Sequence, residues 1–106
     1  MIGRMLLYVV SCVFTDPAVA DAWVAWLRDG HLAAVCAAGA IDAQVYRIDG
    51  DDVRFDVHYR FASRADFDRY EADAAPRLRA EGLSRFPPGL GLAYTRHVGE
   101  PVAAWP

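Results

Sequence analysis

The chain has 106 residues, 55% hydrophobic and 24% charged, which suits one globular domain and excludes collagen-like and disordered classes. Fourteen acidic residues against eleven basic ones give a formal charge of −3, and every base is an arginine. That balance excludes a broad nucleic-acid footprint, and no apolar run approaches the ~20 residues of a membrane-spanning helix.

The run Met5 to Thr15 reads as a first strand, with the β-formers Tyr8-Val9-Val10 and Val13-Phe14. The same run follows Arg4 and precedes Ala18-Val19-Ala20, a pattern shared with signal peptides; a buried strand is the reading adopted. Asp16-Pro17 is an N-cap followed by proline at the first helical position. The helix it opens has an apolar stripe through Val19, Trp23, Trp26, Leu27, Ala34 and Val35, is weakened at Gly30 and is capped at Gly39. Ile41 to Ile48 is a second strand, Asp49-Gly50-Asp51-Asp52 a hairpin turn and Val53 to Phe61 a third strand. Ser63-Arg64-Ala65-Asp66 resembles a capping box and starts a helix with Phe67, Tyr70 and Ala74 inward. Pro76 should kink or restart that helix, and the next turns carry Leu78, Leu83 and Phe86. Pro87-Pro88-Gly89 ends it, and Leu90 to Val98 is the fourth strand. The order β-α-β-β-α-β is the ferredoxin-like arrangement: an α+β fold with a four-stranded antiparallel sheet and both helices on one face. One domain spans 1–106, with a core at about 5–98 and a loose tail at 99–106.

Function should then lie on the sheet face that the helices leave bare. In the third strand Phe55, Val57, Tyr59 and Phe61 point one way and must pack on the helices, because an exposed aromatic row is costly. Arg54, Asp56, His58 and Arg60 point the other way, so Asp56, His58 and Arg60 look outward, joined by Val9, Ser11 and Val13 of the first strand and by Tyr46 and Gln44 of the second. This mixture is too apolar for open solvent and too charged for a dry core. A second copy of the sheet would cover it and enclose a partly polar cavity.

His58 is the candidate general base, with Asp56 and Arg60 beside it and Tyr46 placed to orient a phenol or enol oxygen. Ser11, Gln44 and His31 are candidate ligand contacts, His31 through a pocket at the barrel end past Gly30. The favoured reading of the charged cluster is nonetheless a polar interface, with Asp56, His58 and Arg60 paired across the dimer or with water. Trp23, Trp26, Phe67 and Tyr70 read as core, and His97 as a solvated edge residue. No two histidines share a ligand spacing, so neither a metal nor another cofactor is expected. Cys12 and Cys36 form no CxxC pair and read as reduced, buried thiols of a cytoplasmic protein. Arg85-Phe86-Pro87-Pro88-Gly89 can receive an anion or simply stop a helix.

The sequence resembles a bacterial family of about this length, described as a domain of unknown function, within the dimeric α+β barrel superfamily. Tyr8, Trp23-Val24-Ala25-Trp26, His31-Leu32 and Gly39 carry the resemblance in the first half. Val57-His58-Tyr59, Tyr70, Ala75-Pro76-x-Leu78-Arg79 and Arg85-Phe86-Pro87 carry it in the second. Gly30, Val9 and Val13 depart from the family pattern, where a charged helix former and polar residues are usual. The resemblance implies a homodimer whose two sheets form a barrel, in a superfamily that includes cofactor-independent monooxygenases, lactone isomerases, polyketide cyclases and haem-degrading proteins. An RNA-recognition motif shares the element order, but it needs stacking aromatics on the bare face and a basic surround. Three roles fit the pattern equally: a cofactor-free acid/base enzyme, a non-catalytic binder of a small, partly apolar molecule, and an interaction-only dimer.

Overall fold

The apolar run at the start of the chain forms strand β1 (Leu6–Phe14), inside a sheet rather than at its edge. It pairs antiparallel with β3 (Val53–Phe61) on one side and β4 (Leu92–Gly99) on the other, and β2 (Asp42–Ile48) pairs with β3. The order β2-β3-β1-β4 is that of a ferredoxin-like sheet. The computed structural model describes residues 5–106; Arg4, part of the signal-peptide pattern, lies outside them.

Strand parity separates the two faces. Leu6, Tyr8, Cys12 and Phe14 of β1 are buried against the helices, as are Val57, Tyr59 and Phe61 of β3. Burial pushes the Cys12 thiol up to about 12, which removes thiolate reactivity there. Cys36 is only half-buried.

Helix α1 (Pro17–Trp26) begins as expected, with the Asp16 carboxylate accepting from the Ala18 N–H at 2.9 Å. The expected single helix does not run through. It passes into a π-helical turn at Leu27–His31, leaves helical geometry at Gly30 (φ 176, ψ −32) and resumes as α2 (Leu32–Ala37). The chain leaves α2 through Gly39 at φ 140, with Gly39 N–H donating to Cys36 O and Ala40 N–H to Val35 O, the paired bonds of a Schellman stop.

The second helical stretch is split where proline dictates: α3 (Arg64–Asp73) ends at Ala74, and α4 (Ala75–Arg85) restarts with Pro76 in its first turn. Only half of the expected capping box forms. Ser63 Oγ accepts from the Asp66 N–H, while the Asp66 carboxylate pairs with Arg69. Ala75, Leu78, Gly82 and Phe86, spaced three and four apart, give α4 its buried stripe. Leu83, expected inward, is half exposed because it falls one position off that stripe.

Candidate functional site

The strand registers turn the outer sheet face into a grid. Gln44, His58, Val9 and His97 lie side by side across the four strands, with Tyr46, Asp56, Ser11 and Thr95 forming the next row. Asp42, Arg60 and Leu7 flank one side, and Ile48, Arg54 and Val13 the other.

Charges on this face pair differently from the sequence expectation. Arg54, not His58, holds Asp56, through Nε and Nη2 at 2.9 and 3.0 Å. That bidentate bond lowers the Asp56 carboxyl pKa against the opposing effect of burial, and Ser11 assists. Arg60 is taken by Asp42 across the β2–β3 ladder. His58 is left with Tyr46, ring centroids 4.7 Å apart, whose hydroxyl donates to Gln44. Tyr46, Gln44 and His58 thus come together, and Asp56 with Ser11, but Asp56, His58 and Arg60 do not form one linked triad.

His31 lies elsewhere, on the helix side. It lines a small, partly open pocket of about 50 Å³ between the sheet and the helices, walled by Tyr8, Trp23, Trp26, Tyr59, Tyr70 and Tyr94. Four tyrosines on inward positions give this core a polar lining. The Tyr94 hydroxyl accepts from the Trp23 indole at 3.0 Å. Burial raises the Tyr59 phenol far above its ordinary range and Tyr70 up to about 12, so both remain protonated donors.

Arg79 reaches the same cavity from α4. Its Nη2 donates to the Tyr8 hydroxyl at 2.9 Å and to Glu71 Oε1 at 2.6 Å. Burial disfavours its charge, but those two bonds raise its pKa overall. Its Nε is buried without a hydrogen-bond partner among the described residues. A buried N–H in that state is unusual, although the Arg79 side chain as a whole is 34% exposed. Arg96, whose guanidinium lies 5.2 Å from the centre of the Tyr94 ring, closes the side toward β4.

The family described as "Domain of unknown function (DUF4286)" matches over residues 5–93. The chain belongs to this family. The DUF4286 chain is also similar, at low identity, to several solved structures. A dimeric ferredoxin-like protein from an uncultured marine organism superposes with a TM-score of 0.70 at 13% identity, covering 95% of this chain and 98% of that one. A monooxygenase from ActVA-Orf6 of Streptomyces coelicolor, in complex with nanaomycin D, gives 0.72 at 19% identity, covering 98% and 91%. SnoaB, a cofactor-independent oxygenase from Streptomyces nogalater, gives 0.67 at 14% identity, covering 98% and 99%. No protein of curated description matches the chain by sequence. The DUF4286 match and the ferredoxin-like fold agree with the resemblance carried by the tryptophans, Pro76 and Arg85-Phe86.

Sequence reasoning missed Tyr59, Arg79, Tyr94 and Arg96 as site residues. A signal was available for the tyrosines, since phenols at inward strand positions need partners where phenylalanine would not. Arg79 follows the inward Leu78 directly, and nothing local shows that it turns toward the sheet.

Proposed function

We propose that this DUF4286 protein is a homodimer that binds a small, partly apolar molecule, and that each protomer holds its ligand in the aromatic cavity beneath the helices. One observation carries the ligand reading: a pocket with an aromatic lining to which Arg79 contributes, its Nε buried and without a hydrogen-bond partner among the described residues. Binding sites are typically apolar with a few convergent polar groups, and here Arg79, Tyr8, Tyr59 and Tyr70 supply them. The group they would orient is an oxygen acceptor on a ring system, a carbonyl or a phenolic oxygen. Structural neighbours that are oxygenases, one of them in complex with nanaomycin D, support this class by fold-level analogy.

The dimer reading is supported by the outer face, which mixes Leu7, Val9, Val13 and Ile48 with paired charges, and by neighbours described as dimeric ferredoxin-like proteins. In that dimer the Arg54–Asp56 and Arg60–Asp42 pairs, with Ser11, serve as a polar interface.

The contact between Tyr46 and His58 favours a second reading, in which His58 performs cofactor-free acid/base chemistry in the space between the two sheets. Native mass spectrometry tests both readings of the assembly. A mass at twice 11.7 kDa with a reproducible extra few hundred daltons is expected; a monomer at working concentration would overturn the dimer. Once a ligand is identified, Arg79→Met should weaken its binding, whereas a loss confined to His58→Ala would move the site to the outer face.

A further inference from the structure

We infer that the stacked pair Trp26 and His31 is a movable partition through which a ligand enters the aromatic cavity, and that it sets the size of molecule admitted. This inference rests on the reading of that cavity as the ligand site. Its starting point is a mismatch of volume. The cavity offers about 50 Å³. A cavity of roughly 150 Å³ is the scale that accepts one benzene ring. Any ring-bearing ligand therefore requires a wall to move.

Trp26 and His31 form the wall with space behind it. The same two side chains line a surface groove of about 510 Å³, bounded otherwise by Ala22, Ala25, Ala34, Asp29, Glu81 and Arg85. Swinging the pair outward would join the groove to the cavity. The opposite wall is the sheet, where β1 and β3 are hydrogen-bonded on both sides.

The backbone that carries the pair is also the irregular part of its helix. Trp26 is the last residue of α1 and His31 the last of the π-helical turn, with the break at Gly30 between them. Such turns within helices recur at functional sites. The rings lie with centroids 4.1 Å apart and planes 21° from parallel, and Phe86 meets the other side of Trp26 edge-on at 5.6 Å. Among the described residues neither side chain has a hydrogen bond to anchor it. Trp26 is held by the stack on His31 and by packing against Phe86 and Gly82, without a hydrogen bond, so the open state is a minor one, populated at about a tenth or less.

The test is stopped-flow binding of 2-naphthol, a bicyclic phenol, to the full chain. Removing a partition that is open about a tenth of the time or less should raise the association rate about tenfold or more in Trp26→Ala. His31→Ala removes the half-buried partner and should accelerate binding too, and it decides the matter if Trp26→Ala does not fold. Leu78→Ala, which enlarges the cavity away from the groove, should change affinity without speeding entry. Wild-type rates in both partition variants, or equal acceleration in Leu78→Ala, would overturn the partition while leaving the cavity as a site. If neither wild type nor variants take up 2-naphthol, the ligand reading of the cavity fails and the partition falls with it.

Discussion

The Arg79 guanidinium donates a 2.9 Å hydrogen bond to the Tyr8 hydroxyl, joining helix α4 to the innermost part of the sheet across 71 positions of sequence. The same nitrogen serves Glu71, while Nε is buried without a hydrogen-bond partner among the described residues. Arg79→Met keeps the apolar stem and deletes the donors. Loss of a bond from a charged donor should weaken 2-naphthol binding about tenfold, or ~1.4 kcal/mol. Glu71 is partly exposed, so the stability cost should stay near ~1 kcal/mol. Titration and a thermal melt read the two separately, and unchanged affinity would show that Nε does not touch the ligand.

His31 gives the partition a pH dependence whose sign is fixed by burial. Desolvation lowers its pKa below the ordinary 6.5, and Glu81 opposes the shift weakly. The folded state therefore binds fewer protons than the unfolded one just below pH 6.5. Stability from this residue is fully present above 6.5 and is lost as pH falls through the depressed value. Asp29, Glu81 and Arg85 share the groove, and other carboxylates also titrate in acid, so the readout is a difference. Melting temperature between pH 7.5 and 5 should fall further in wild type than in His31→Phe. Parallel curves would mean that the imidazole is solvated in solution.

Gly91 should tolerate no side chain. It sits at φ 82 after the 3₁₀ turn Pro88–Leu90, and its carbonyl accepts from the Thr15 N–H at 2.9 Å. An added Cβ would lie 2.1 Å from Thr15 Oγ1. Backbone strain and that clash together should cost Gly91→Ala roughly 2–3 kcal/mol. Adding Thr15→Ala removes the clash and leaves the strain, so the double variant should recover about half of the loss. A fully additive cycle by denaturant unfolding would refute the contact.

The fold was legible because its signals are local and repeated. Period-two alternation in Val53–Phe61 fixed the strand and its faces, while Asp16-Pro17, Ser63 and Pro76 marked helix starts that the structure keeps. The π-helical turn was not legible. Gly30 signals weakness in a helix but not how the register absorbs it, and the turn is what brings His31 back onto Trp26. The pairing on the outer face was half legible: parity placed Arg54, Asp56, His58 and Arg60 together, but an arginine's reach decides its partner. Arg54 and Asp56, two apart on one strand, pair along it, and Asp42 across the ladder captures Arg60. The cavity depends on Arg79, Tyr8 and Tyr94, contributed by three elements far apart in the chain, and no local pattern relates them.

Val9 offers the most direct test of the proposed dimer. It lies on the outer face between His58 and His97, half-buried within the protomer and away from the helix-side core. If a second sheet covers this face, Val9→Arg places an unpaired cation at the centre of the interface, with Arg54 and Arg60 already committed to their own carboxylates. Burying an uncompensated charge costs several kcal/mol, so the dimer should weaken by about a hundredfold or more. Within a single protomer the longer side chain can reach solvent across the open face, so far-UV circular dichroism should be unchanged. Sedimentation equilibrium should then find the variant monomeric at concentrations where wild type is dimeric. A variant that keeps the wild-type mass would mean that the sheet faces do not meet.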